Sequence, residues 1–238
     1  MPEMKKLIAW DFDKTLAERK NGMWAQTLSE IAFDKAGVKI SQEKFIPFLQ
    51  EGFFWHNWEK PHTHIRTADD WWEKMHPVFE NGLKKNGVES VLAEFVREYY
   101  TNPVKWNLID SAEEVLKHFE GSNFYQVVLS NHVPELEKLI ISLGIRRFFE
   151  KIYNSAFTGY EKPHHQSFAM IKNDFPEVEE FWMVGDSVTV DMKGAKTAGF
   201  KTFWFNPDRK KCDEEAAVDY EITSLKEFEM MMRGSENA

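Results

Sequence analysis

Apolar residues in this chain come in two rhythms. Over residues 107–238 they form short, nearly unbroken runs, at 124–129, 151–153, 181–184 and 201–205, separated by segments in which apolar side chains return at helical spacing. Runs of this kind predict strands buried on both faces, and their alternation with helices predicts a parallel sheet covered by those helices. The helical stretches are 112–119, 134–143, 164–173 and 188–198, and three of them run into a terminating glycine, Gly121, Gly144 or Gly199. Residues 7–10 form a fifth apolar run, the expected first strand of the same sheet.

Residues 17–106 have only the helical rhythm, with Trp24, Leu28 and Ile31 on one face and Trp72, Met75 and Phe79 on another. The edges are polar or turn-forming, at residues 18–22 and 101–103. The expected organisation is an α/β core made of residues 1–16 and 107–238, interrupted by an α-helical domain over 17–106.

Composition narrows the function. The chain has 238 residues, enough for one large core or one core with a satellite. A formal net charge of −9 argues against a nucleic-acid surface, whose affinity comes from Lys and Arg neutralising phosphates. It leaves a small anionic substrate open, because a few local cations or one metal ion reverse the field inside a cleft. The single Cys212 rules out an internal disulfide and fits a reducing compartment. With no leader-like apolar region before the first strand, and no apolar run near the roughly 18–20 residues that span a bilayer, the expectation is a soluble, cytoplasmic protein without membrane or nucleic-acid partners.

The polar residues that interrupt these runs carry the chemistry. Asp11, Asp13 and Thr15 follow the first strand, Ser130 and Asn131 the second, and Asp186 the fourth; Lys162 sits in a loop ahead of Pro163. Open α/β sheets build their sites at these strand ends. Asp11 is placed to act as nucleophile or metal ligand, and Asp13 to hold a proton for a departing alkoxide and then withdraw one from water. Thr15 is expected to hydrogen-bond the Asp13 carboxyl. Asp186 with Asp11 suits a hard dication such as Mg²⁺, and Asp191 a metal-bound water or the orientation of Lys162. Ser130 and Asn131 can donate hydrogen bonds to a transferring phosphoryl group, while Lys162 neutralises its oxygens. Singly, each residue also fits a helix cap or a solvated face. It is their joint placement that points to phosphoryl transfer.

These motifs resemble those of the haloacid dehalogenase-like hydrolase superfamily, in the branch with a helical cap of the C1 type inserted after the first motif. Asp11 to Leu16 resembles the first motif, Leu129 to Asn131 the second, Lys162 with Pro163 the third, and Gly185 to Ser187 with Asp191 the fourth. Lys14 stands where glycine is commonest. The resemblance implies a Rossmann-like sheet of order 3-2-1-4-5 that sets Asp11 against Asp186. It also implies a Mg²⁺ ion bridging Asp11, the Asp13 carbonyl and Asp186, and a mechanism through an aspartyl-phosphate on Asp11. An acidic residue at Asp13 favours phosphate over halide chemistry, since a departing halide needs no acid.

The implied activity is a Mg²⁺-dependent phosphatase acting on a small phosphorylated metabolite, such as a nucleoside monophosphate or a sugar phosphate. A phosphomutase is the alternative within the superfamily, and a non-catalytic phosphometabolite-binding protein the alternative outside enzymes. In the cap, Trp55, His56, Trp58, Trp71 and Trp72 read either as an aromatic pocket or as filling for the cap's own core, and the spacing of Trp72, Met75 and Phe79 fits the second. His62 and His64 are too few for a zinc site. Asp69 and Asp70 read as a helix start, and residues 209–215 as a solvated loop.

Overall fold

The computed structural model describes residues 4–212 and 214–236. Residues 1–3 ahead of the first strand, Asp213 of the 209–215 loop and residues 237–238 therefore lie outside the described residues. The chain begins with strand β1 (Lys6–Trp10), continues into a three-residue strand β2 (Ala17–Arg19), and then enters the helices α1 (Trp24–Ala36), α2 (Ala68–Lys85) and α3 (Val96–Thr101). It leaves this helical segment through β3 (Trp106–Leu108), and helix α4 (Ala112–Phe119) leads into β4 (Phe124–Ser130). Then come α5 (Leu136–Ser142), β5 (Lys151–Asn154), α6 (Ser155–Thr158), α7 (His165–Asp174), β6 (Glu180–Gly185), α8 (Lys193–Thr197), β7 (Lys201–Phe205), β8 (Tyr220–Ile222) and α9 (Leu225–Glu236).

Six strands form one sheet in the order β5-β4-β1-β6-β7-β8, every pair parallel. Numbered by their place in the core, this is 3-2-1-4-5 with a sixth strand added at the edge. That strand and the antiparallel β2–β3 ribbon were not expected from the sequence. Each is three residues long, too short to show a period of two.

The sheet is buried on both faces, which accounts for its unbroken apolar runs. Ile8 and Trp10 of β1, Val128 of β4, Trp182 and Val184 of β6 and Phe203 of β7 pack with α4, α5 and α9 on one side. Leu7, Ala9, Val127, Leu129, Phe181, Met183 and Trp204 pack with α7 and α8 on the other. One buried polar group is satisfied inside the first layer, where Gln126 accepts from Trp10 Nε1 at 3.2 Å and donates to the Leu116 carbonyl at 2.9 Å.

The helical segment is joined to the sheet without a break in its apolar packing, since Leu28, Ile31, Trp71, Phe79 and Tyr100 belong to the same buried cluster as Trp10 and Phe12. Helix α2 starts on a reciprocal cap in which Thr67 Oγ1 accepts from the Asp70 N–H and the Asp70 carboxylate accepts from the Thr67 N–H. Its face of Trp71, Trp72, Met75, Phe79 and Leu83 is buried, so both tandem tryptophans fill the segment's own core. His64 is exposed, whereas His62 is buried beneath Phe54 and meets Glu161 at 3.0 Å.

Candidate active site

The end of β1 is tied to the end of β6 by the Asp11 N–H, which donates to the Val184 carbonyl at 2.9 Å. Adjacent parallel strands ending at the same height place the residues that follow them side by side. A cavity of about 440 Å³ opens there, and Asp11, Asp13, Ser130, Asn131, Lys162, Asp186 and Asp191 all line it.

Lys162 is the hub. Its ammonium lies 2.6 Å from Asp11 Oδ1 and 2.6 Å from Asp191 Oδ1, and the side chain is 2 % exposed. Burial alone would push its pKa down, but the two carboxylates reverse the effect and hold it above the ordinary lysine value. Asp191 sits in the wide helical turn Val188–Met192, with Oδ2 accepting from the Ser187 N–H at 3.0 Å. Gly185 makes room for it: a Cβ at that position would fall 2.6 Å from Asp191 Cγ. The glycine in the fourth motif is thus a packing requirement.

Oxygens of Asp11, Asp186 and Asp191 lie within 4.8 Å of one another. Burial raises Asp186 to about 6, with the Asp11 charge adding to the rise, and raises Asp191 to about 7 despite the opposing Lys162. Asp13 is also pushed well above the ordinary carboxylate value, first by burial and then by Asp11 and Asp186. Four carboxyl groups crowded around one buried ammonium are a hard-oxygen donor set with excess negative charge, which fits a small dication.

Two expected contacts are corrected by the structure. The Thr15 hydroxyl is buried but bonded to no protein group, because the Asp13 carboxyl turns toward His132 instead, with Oδ1 3.5 Å from Nε2. The Asn131 side chain is committed to the Lys162 loop, accepting from the Lys162 N–H at 2.7 Å and donating to its carbonyl at 2.9 Å. It therefore fixes the lysine and leaves the Ser130 hydroxyl, buried and without a protein partner, as the free donor at that strand end.

The sequence reading missed several groups on the cavity wall. His132 follows the second motif directly; burial pushes its pKa down to about 4, so it is neutral. Tyr100, Met23 and Trp24 come from the helical segment, and with Trp55 and His56 they face the carboxylates from above. Adjacency to Asn131 was a usable signal for His132. None existed for Tyr100, which the fold brings in from the far end of the helical segment.

Known proteins resemble this chain in sequence and in fold. A relative from Bacillus subtilis, the HAD-hydrolase YfnB, is 33% identical over 124 residues, covering 51% of this chain and 52% of that protein. The phosphoserine phosphatase of Thermus thermophilus is 27% identical over 153 residues, covering 63% of this chain and 61% of that one. These alignments span little more than half of either relative. In solved structures the likeness extends over the whole fold: magnesium-bound YfnB superposes with a TM-score of 0.71 at 24% identity, covering 96% of this chain and 99% of that one. A 2-haloacid dehalogenase from Pseudomonas syringae gives 0.67 at 20% identity, covering 97% and 99%. The family model for haloacid dehalogenase-like hydrolases matches residues 5–199, from the first strand through the helix after the fourth motif, and the chain belongs to that family.

Proposed function

We propose that this protein is a Mg²⁺-dependent phosphomonoester hydrolase of a small phosphorylated metabolite, working through an aspartyl-phosphate, with 1–16 and 107–238 as catalytic core and 17–106 as cap. The observation that carries the reading is the convergence of Asp11, Asp13, Lys162, Asp186 and Asp191 on one cavity from three separate stretches of chain.

Asp11, Asp186 and the Asp13 backbone carbonyl are the groups assigned to hold Mg²⁺, which when bound offsets the repulsion between the carboxylates and a phosphate. Asp11 attacks phosphorus while the bond to the leaving oxygen breaks, and Asp13 gives its proton to that oxygen. Asp13 then takes a proton from water, whose oxygen attacks the phosphoryl-Asp11 and releases inorganic phosphate with Asp11 restored. The raised pKa of Asp13 supports its role, because burial and the neighbouring Asp11 and Asp186 charges favour the protonated acid that the leaving group needs. It also favours phosphate over halide chemistry, whatever the dehalogenases among the fold neighbours do. Ser130 donates to the phosphoryl oxygens, Lys162 neutralises them, and Asn131 and Asp191 position Lys162.

No helix of the described residues is long and apolar enough to cross a membrane. The unpaired Cys212 supports a reducing, cytoplasmic setting. The test is phosphate release from a panel of nucleotides, sugar phosphates and small phosphorylated acids, with Mg²⁺ or chelator. Metal-dependent release that disappears in Asp11→Asn is expected. Release that persists in that variant refutes the nucleophile, and isomerisation without net phosphate release selects a mutase.

A further inference from the structure

The cavity has a charged floor and an uncharged roof. Asp11, Asp13, Asp186 and Asp191 lie below, while the helical segment contributes Met23, Trp24, Trp55, His56 and Tyr100 from above. None of the roof residues is a lysine, an arginine or a carboxylate, and burial lowers the pKa of His56, so its imidazole stays neutral near pH 7. Trp24 is stacked on Tyr100 at 3.6 Å, which fixes both rings. Trp55 lies half-buried with its ring stacked on Phe53 at 4.2 Å and 13°, holding an indole at the cavity wall.

Both lysines that line the cavity, Lys162 and Lys14, come from the α/β core and neither from the helical segment. Lys162 meets Asp11 and Asp191 at 2.6 Å, and Lys14 is exposed on the turn that follows β1. A second anionic group on a substrate, lying beyond the phosphate, therefore meets apolar rings and no counter-charge. Taking such a group out of water unpaired is costly, whereas a planar apolar group gains from stacking.

We propose that the substrate's leaving group is an uncharged alcohol bearing a planar aromatic face, seated against the half-buried indole of Trp55 at the cavity wall. This rests on the phosphatase reading and deepens it. Nucleoside-like and arylalkyl monoesters belong to the class, whereas phosphorylated amino acids, phosphorylated hydroxyacids and bisphosphates do not.

The experiment compares kcat/KM for benzyl, 4-carboxybenzyl and ethyl phosphate in saturating Mg²⁺, three esters of similar leaving-group chemistry. Benzyl phosphate is expected to exceed its carboxylated analogue by about tenfold or more, the size of a lost pocket contact. Trp55→Ala is expected to shrink the benzyl-to-ethyl ratio by about the same factor. Equal or faster turnover of 4-carboxybenzyl phosphate, or a benzyl-to-ethyl ratio indifferent to Trp55, overturns the proposal. If no ester is hydrolysed, the phosphatase reading fails, and calorimetry on the unmodified protein with benzylphosphonate and 4-carboxybenzylphosphonate decides this inference separately. Tighter binding of the neutral phosphonate supports it; equal or reversed affinity refutes it.

Discussion

Lys162 and Asp11 stand 151 residues apart in the chain and 2.6 Å apart in the fold, with Asp191 at the same distance on the ammonium's other side. Removing the lysine leaves two buried carboxylates facing each other without a cation. Lys162→Met is expected to destabilise the metal-free protein by about 3–5 kcal/mol, the usual result of breaking one side of a buried pair. Urea unfolding in chelator measures this, and a loss under about 1 kcal/mol contradicts the assignment of Lys162 as a buried counter-ion.

Asp13 is assigned a proton that only a poor leaving group needs. Asp13→Asn is expected to slow hydrolysis of benzyl or ethyl phosphate by about 10²–10⁴-fold. It should slow p-nitrophenyl phosphate far less, because that leaving group departs as a stable anion. Steady-state rates on the two ester types check this; equal losses on both make Asp13 a structural or metal-site residue and not the acid.

The carboxyls of Asp186 and Asp191 have pKa values raised to about 6 and about 7, against an ordinary value of 3.8. Between those values the folded protein holds more protons than the unfolded chain, so these two groups lower stability as pH rises from about 4 to about 7. A dication competes with the same protons and binds better once they are gone. The stabilisation by Mg²⁺ should therefore be larger at pH 8 than at pH 5, and Asp186→Asn should reduce that difference. Melting temperatures in chelator and in MgCl₂ at the two pH values test it; an increment independent of pH is the contrary result.

Gly185 is not in a left-handed conformation, so its replacement tests packing alone. In Gly185→Ala the new Cβ would lie 2.6 Å from Asp191 Cγ and 2.8 Å from its Cβ, which forces Asp191 away from Lys162. A destabilisation of about 1–3 kcal/mol is expected from the overpacking. Activity should fall together with it in a protein that still folds. Circular dichroism and phosphate-release rates make the comparison, and unchanged kcat/KM shows that Asp191 does not govern Lys162.

Much of this was legible in one dimension because the signals are local. Buried parallel strands need unbroken apolar runs, so residues 7–10, 124–129, 181–184 and 201–205 announced themselves, and the residues just after them had to lie at one edge of the sheet. The strand ends alone point to Asp11, Ser130 and Asp186, and the family resemblance implies the strand order.

What the tertiary structure alone decided depends on orientation and on contacts between distant segments. Asn131 and Thr15 carry the right groups, yet their side chains could turn to loop, carboxyl or ligand, and only packing selects among these. The local sequence cannot show that Asp13 faces His132, or that Trp71 and Trp72 fill the helical segment while Trp55 and His56 line the cavity. Short β2, β3 and β8 were invisible because three residues carry no period. Chain identity determined the chemistry available at each strand end; the closing of a helical segment over that end determined which chemistry meets which, because burial and charge proximity are properties of neighbours in space.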